Sequence, residues 1–234
     1  MLTGEFEMGS TEKETAIVLV SGGLDSAVCL AEAVVRYDVA LLHINYGQRT
    51  EKRELKAFND LARHYGLERR LVVDISYLKE IGGSSLVDED MTVETGLPEE
   101  GASVPSTYVP FRNAHILCVG MSWAEVIGAK ALFIGAVEED GSGYPDCRQE
   151  FYEKFAAAAD AGTKPDTRVS ICTPLINLDK AAIVERGLQL NVPLNLTWSC
   201  YTEEDEACGQ CESCLLRLRG FERAGHTDPI TYKS

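Results

Sequence analysis

Ala16-Ile17-Val18-Leu19-Val20 is an unbroken apolar, β-branched run that ends abruptly in Ser21-Gly22-Gly23. A strand with no polar face has no side to offer water, so it must be covered above and below, as happens in parallel sheets. Helical spacing follows over residues 26–37. Parallel neighbours need long crossovers, and the rest of the chain supplies them. Apolar runs at 39–44, 71–73, 131–135 and 169–172 read as strands. Segments 51–65, 113–127, 149–159 and 180–190 read as helices, with a last helix at 214–224. Gly66 and Gly128 stand where helices commonly stop, and Asp179 where a side-chain oxygen caps the first turn of the next helix. The alternation predicts an α/β fold: a doubly wound parallel sheet, Rossmann-like, with right-handed crossovers. Ligands of such sheets lie outside the carboxyl ends of the strands.

The turn after the first run, Ser21-Gly22-Gly23-Leu24-Asp25-Ser26, occupies that place. Two glycines permit a sharp bend and close approach of a ligand to the backbone. Amide hydrogens there and at the helix start form a nest for anions. Ser21 and Ser26 add hydroxyl donors, and Asp25 can hold Mg²⁺ against phosphates or order the turn. The loop lacks the Lys-Ser/Thr ending of a Walker motif. The string resembles the SGGxDS signature of the PP-loop ATP pyrophosphatases, which include NAD synthetase, GMP synthetase and several tRNA thiolases. The resemblance implies an adenine nucleotide alpha hydrolase-like fold. It also implies an ATP site on Val20, Ser21, Gly22, Gly23, Leu24, Asp25 and Ser26, with cleavage between the α and β phosphates.

A second constellation lies near the end of the chain. Four of the eight cysteines, Cys200, Cys208, Cys211 and Cys214, are separated by seven, two and two residues. A two-residue gap brings thiolates onto one ion, and four sulfurs match a closed, tetrahedral, structural Zn²⁺ site. Gly209 provides the turn. An iron–sulfur cluster is the rival, since four thiolates can hold one. Residues 1–15 read as a disordered leader, 16–194 as the ATP-binding domain, and 195–234 as a zinc-binding segment and helix of the same domain. The stretch 76–107 carries Gly82, Gly83, Gly96, Pro98, Gly101 and Pro105, and the acidic residues Asp88, Glu89, Asp90, Glu94, Glu99 and Glu100. It reads as an irregular, solvated segment or a lid.

Five further strings narrow the family: Tyr46-Gly47-Gln48-Arg49, Tyr108-Val109-Pro110-Phe111-Arg112-Asn113, Ser142-Gly143-Tyr144-Pro145-Asp146-Cys147-Arg148, Thr173-Pro174-Leu175 with Asp179-Lys180, and Thr197-Trp198-Ser199-Cys200-Tyr201. In this order they resemble the 7-cyano-7-deazaguanine synthases of queuosine biosynthesis, over about residues 16–219. The family often has His after the Gln-Arg pair; here it is Thr50. The resemblance implies an ATP-dependent carbon–nitrogen ligase that converts 7-carboxy-7-deazaguanine and ammonia to the nitrile through adenylated acid and amide intermediates. Asp25, Ser26, Arg112 and Lys180 are the expected catalytic residues. Arg49 and Arg148 are expected on substrate or phosphate oxygens, which a guanidinium fork matches. Asp140 and Asp146 are expected on the guanine edge, and Tyr144 stacked on the heterocycle.

The formal net charge of −15 disfavours a nucleic-acid backbone as partner. It therefore argues against two other readings, a tRNA thiolase and a zinc-knuckle binding module. No run of eighteen apolar residues predicts a membrane span, and the polar, acidic start does not resemble a signal peptide, so a cytoplasmic location is expected. No stretch has room for a glutaminase, so ammonia is expected from solution. The sequence leaves a homodimer open.

Overall fold

A computed structural model describes residues 13–97, 104–138 and 143–233. Five strands form one sheet: β1 (Thr15–Leu19), β2 (Asp38–Asn45), β3 (Arg70–Asp74), β4 (Ala131–Ile134) and β5 (Ser170–Cys172). All pairings are parallel, in the order β3-β2-β1-β4-β5. Ala16 on the central strand registers with Val39 on one side and Ala131 on the other. The chain therefore winds outward from β1 to β3 and then returns to lay β4 along the free edge of β1. The point of return lies between the carboxyl ends of β1 and β4, where the strands splay and leave a crevice.

Seven helices accompany the strands among the described residues: α1 (Leu24–Arg36), α2 (Glu51–His64), α3 (Tyr77–Ile81), α4 (Arg112–Ile127), α5 (Gln149–Gly162), α6 (Lys180–Gln189) and α7 (Glu212–Arg223). Side chains of a strand alternate between faces, and β1 divides its burial accordingly. Ala16, Val18 and Val20 pack with Val28 and Leu30 of α1, Phe58 and Leu61 of α2, and Ile183 and Val184 of α6. Ile17 and Leu19 pack into the opposite layer with Leu117 and Met121 of α4 and Tyr152 of α5. Both faces are covered, which is why the strand is apolar from Ala16 onward.

The predicted boundaries shift in places, for local reasons. α1 begins at Leu24 rather than 26, so Asp25 enters its first turn. α7 begins at Glu212 rather than 214, so Cys211 becomes its N-cap. The stretch 76–107 is not wholly irregular, since it contains the short α3. Gly66 and Gly128 follow α2 and α4 with φ of 65° and 71°, the left-handed stop that glycine takes without strain. The Asp179 side chain accepts from the Ala182 amide at 2.8 Å, capping α6. The expected leader falls, up to residue 12, outside the described residues. No helix among the described residues is long and apolar enough to cross a membrane.

Candidate active site

The glycine turn sits at the crevice between β1 and β4. Gly22 has φ of 93°, and a Cβ there would meet the Glu54 carbonyl oxygen at 2.7 Å, so only glycine fits against α2. Gly135, just past β4, has the complementary role. A Cβ on it would fall 2.8 Å from the Asp25 carbonyl, so its bareness lets β4 approach the turn. Gly23 is the N-cap of α1 and offers no side-chain cap. The unpaired first-turn amides of that helix are thus left for a ligand. The Ser26 hydroxyl donates to the Gly23 carbonyl at 3.0 Å, and Ser21 Oγ accepts from the Gly23 amide at 3.2 Å. From the other side, Lys180 Nζ reaches both Asp25 carboxylate oxygens, at 2.9 and 3.0 Å. Gly220 on α7 makes that approach possible, since a Cβ there would strike Lys180 Cγ at 2.5 Å.

The turn opens into a cavity of about 290 Å³. Leu19, Val20, Ser21, Gly23, Leu24, Asp25, Ser26 and Lys180 line one end. Tyr46, Glu54, Arg112, Tyr144, Trp198 and Tyr201 line the rest. The Arg112 guanidinium lies over the Tyr46 ring, 5.1 Å from its centroid, and donates from Nη1 to the Tyr46 hydroxyl at 3.1 Å. Its Nε is buried and finds no acceptor, so this cation keeps an unmet donor. The Tyr144 hydroxyl donates to Thr107 Oγ1 at 2.8 Å, which fixes the ring on the wall. Burial pushes the Tyr46 phenol up to about 12 and the Cys147 thiol up to about 11, so neither ionises near neutral pH.

His43 lies beneath the turn, fully buried. Its Nδ1 is 2.8 Å from the Val20 carbonyl, and its Nε2 is 3.0 Å from the Asn45 side chain. Burial lowers its pKa, so the ring is neutral. A carbonyl partner requires Nδ1–H, which leaves Nε2 to accept. Asn45 must therefore present its amide nitrogen, the isosteric orientation of that group. His43 thus props the backbone at the end of β1.

The four cysteines converge at the far edge of the cavity. All four Sγ atoms lie within 4.8 Å of one another. Backbone amides of Cys208, Gln210 and Cys211 donate to cysteine sulfurs at 3.4, 3.4 and 3.2 Å, as thiolates at a metal knuckle require. Gly209 turns between them with φ of 71°. The start of α7 carries Cys211 and Cys214, where the helix dipole favours thiolate charge. The donor set fits a structural metal ion with no open position. Behind it, Arg217 pairs with Asp228 in two contacts, 2.6 and 3.0 Å, both side chains almost fully buried. This pins the C-terminal tail across the knuckle.

The family profile of queuosine biosynthesis protein QueC matches residues 15–225. The chain belongs to the QueC family. A 7-cyano-7-deazaguanine synthase of Chlorobium phaeobacteroides (strain DSM 266 / SMG 266 / 2430) is 54% identical, over 93% of this chain and 96% of its own. Another, of Chloroherpeton thalassium, is 55% identical over the same shares. Among solved structures, an NH3-dependent NAD synthetase from Campylobacter jejuni is similar at a TM-score of 0.47. It is 16% identical and is covered to 68%, against 80% of this chain.

For this QueC-family chain, the structure brings the predicted turn, Gly22 apart, together with Lys180, Arg112 and Tyr144 on one cavity. It does not bring Arg49, Arg148 or Asp146 there. Arg49 donates to three main-chain carbonyls, those of Ser85, Asp88 and Met91. Arg148 is exposed at the N-cap of α5. Asp146 is buried, and its carboxylate accepts from the Asn113 amide at 2.9 Å. It supplies the cap that Phe111, left-handed at φ of 58°, cannot give to α4. Asp140 lies outside the described residues. Sequence reasoning missed Glu54, Tyr46, Trp198, Tyr201 and Arg217 on the wall. A signal for Glu54 was available. It stands four residues before Phe58 and seven before Leu61, on the apolar stripe of α2, where a carboxylate needs a reason.

Proposed function

We propose that this chain is a 7-cyano-7-deazaguanine synthase, converting 7-carboxy-7-deazaguanine, ammonia and ATP to the nitrile. The carrying observation is that the glycine turn, the Asp25–Lys180 pair and the Arg112 side chain meet on one cavity. A carboxylate is a poor electrophile, and its oxygen a poor leaving group. Adenylation supplies the leaving group, and the site must then hold the charge that develops.

The residues divide the work. Backbone amides at Gly22 to Ser26 hold phosphates. Lys180 balances the charge on the α-phosphate side, released from Asp25 as a nucleotide enters. The Asp25 carboxylate, 30% exposed beside the turn, is a hard oxygen donor of the kind Mg²⁺ takes. When bound, that ion neutralises the departing pyrophosphate. Arg112, which lines the cavity, takes an oxygen of the substrate carboxylate with its guanidinium, and Tyr144 lies along the heterocycle. Zn²⁺ occupies the four-cysteine site as a structural ion, by the closed donor set described above. Ser26, with its hydroxyl on the turn, completes the phosphate shell.

Both oxygens of the carboxylate must leave to make a nitrile, one at amide formation and one at amide dehydration. An amide oxygen leaves no more readily than a carboxylate oxygen, so each step needs its own activation. About two ATP are expected per nitrile, with AMP and pyrophosphate as products. The free amide should convert with one ATP and no added ammonia. A timed assay with the acid, ATP, Mg²⁺ and ammonium, read by mass spectrometry for AMP, ADP, amide and nitrile, tests this. ADP as sole nucleotide product, or an inert amide, would defeat the mechanism. No nitrile from any combination would defeat the assignment.

A further inference from the structure

Two carboxylates stand on the cavity wall among the described residues, Asp25 and Glu54. Asp25 is held by Lys180. Glu54 has no cation within ion-pair reach among the described residues, and its recorded partners are neutral. Oε1 accepts from the Thr50 hydroxyl at 3.0 Å, and Oε2 from the Gln48 amide nitrogen at 3.1 Å. Each oxygen therefore keeps acceptor capacity, and the side chain is locked in place by two donors that bring no charge. The charged groups that face it are Arg112, from α4, and Glu51, from its own helix. The first lies against Tyr46, and the second adds negative charge. The nearby phenols of Tyr46 and Tyr144 are held neutral by burial. An anchored carboxylate with no counterion, inside the chamber that holds the ATP turn, is suited to a small cation with N–H donors.

We infer that Glu54 binds ammonium and accepts a proton from it, delivering neutral ammonia to the activated carboxyl carbon. This rests on the reaction proposed above. An N–H bond of ammonium breaks and its proton passes to a Glu54 oxygen. The freed lone pair forms the C–N bond. The C–O bond to AMP breaks, and its electron pair leaves on AMP. A second proton then departs from nitrogen to solvent. No oxidant or reductant is involved. Burial pushes Glu54 up to about 7, against the hydrogen bonds of Thr50 and Gln48. That makes it a stronger base than an ordinary carboxylate, poised near working pH.

The test is Glu54→Gln, which keeps the size and both neighbours, its oxygen accepting from Gln48 and its amide nitrogen donating to the Thr50 hydroxyl. With acid, ATP and ammonium, its amide formation at pH 7 should fall by about a hundredfold or more. Conversion of the pre-formed amide to nitrile should fall less than amide formation, because no ammonium is used there, although its nitrogen must also shed protons. Hydroxylamine, already neutral at pH 7, should restore attack on the activated acid. The pH profiles should also part. Wild type should rise with pH to about 7, as Glu54 becomes a carboxylate, and then level. The variant depends on free ammonia and should keep climbing, about tenfold per pH unit, toward the pKa of ammonium itself. Equal loss of acid and amide turnover, or an unchanged ammonium dependence and pH profile, would overturn the inference. The wild-type assay with the amide tells these outcomes apart from failure of the proposed reaction.

Discussion

The glycine turn after β1 and the cysteine knuckle before α7 each fix their shape within a short stretch of chain, but by different means. The turn is clamped by its surroundings. Gly22 is pressed against α2, Gly135 lets the end of β4 close on it, and its backbone carbonyl at Gly22 accepts from the Trp198 amide at 2.8 Å. Its form exists before any ligand arrives. The knuckle is also packed, with Cys200, Cys211 and Cys214 buried, but its sulfurs still need a partner. Its polar run, Thr202 to Glu206, offers almost nothing to a core, and four sulfurs crowd together. Reduced thiols gain little from such crowding, so an ion must supply the energy that packing supplies elsewhere. A site for a transient ligand is preorganised by the fold, whereas a site for a resident ion helps to make the fold.

The largest effect should come from removing the ion. Cys211→Ser should lose about one zinc per chain by elemental analysis and lower stability on the order of 5 kcal/mol, read from denaturant unfolding. Turnover should fall with it, because Trp198 and Tyr201 on the cavity wall flank Cys200. A metal-free wild type of unchanged stability would remove the contrast, and stoichiometric iron would replace zinc with a cluster.

Asp25→Asn probes the other half. Catalysis should fall by about a hundredfold, while stability stays within about 1 kcal/mol because the turn is held by packing. Circular dichroism and steady-state turnover measured on the same sample decide this. Wild-type-like turnover would exclude Asp25 from the chemistry. A collapse of the fold would mean that the turn, like the knuckle, depends on what occupies it.

Asp179→Ala should have the smallest effect. It removes one capping bond from α6, worth about 1 kcal/mol, and an exposed pair with Arg223 that contributes little. Lys180 is the next residue, so a disproportionate loss of turnover would show that the cap aims the lysine as well as starting the helix.

Much of the fold could be read from the chain because burial leaves periodic marks. β1 is apolar from Ala16 onward, α2 and α4 stop at glycines that bend left-handed, and Asp179 caps as its residue type suggests. The turn was legible because close approach requires glycine at Gly22, and a short string recorded that need. The wall was harder to read. Arg49 and Asp146 have side chains suited to a ligand, but main-chain groups also need partners, and residue type cannot say which claim prevails. Asp146 answers an uncapped helix, accepting from the Asn113 amide. Glu54 was overlooked because one acidic residue among many on α2 looks like solvated surface until its place on the apolar stripe is counted. Thr50, where the family often has His, bonds both Glu54 and the Cys200 carbonyl, a link across 150 residues that no local pattern records.

Arg49 grips the segment from Ser85 to Met91 by its main-chain carbonyls alone. Every amino acid carries the same carbonyl, so this clasp does not depend on which side chains the segment bears. The exposed residues there are free to diverge between lineages, or to be rewritten by an engineer, while the path of the chain is kept. A single arginine thus separates the shape of the segment from its spelling.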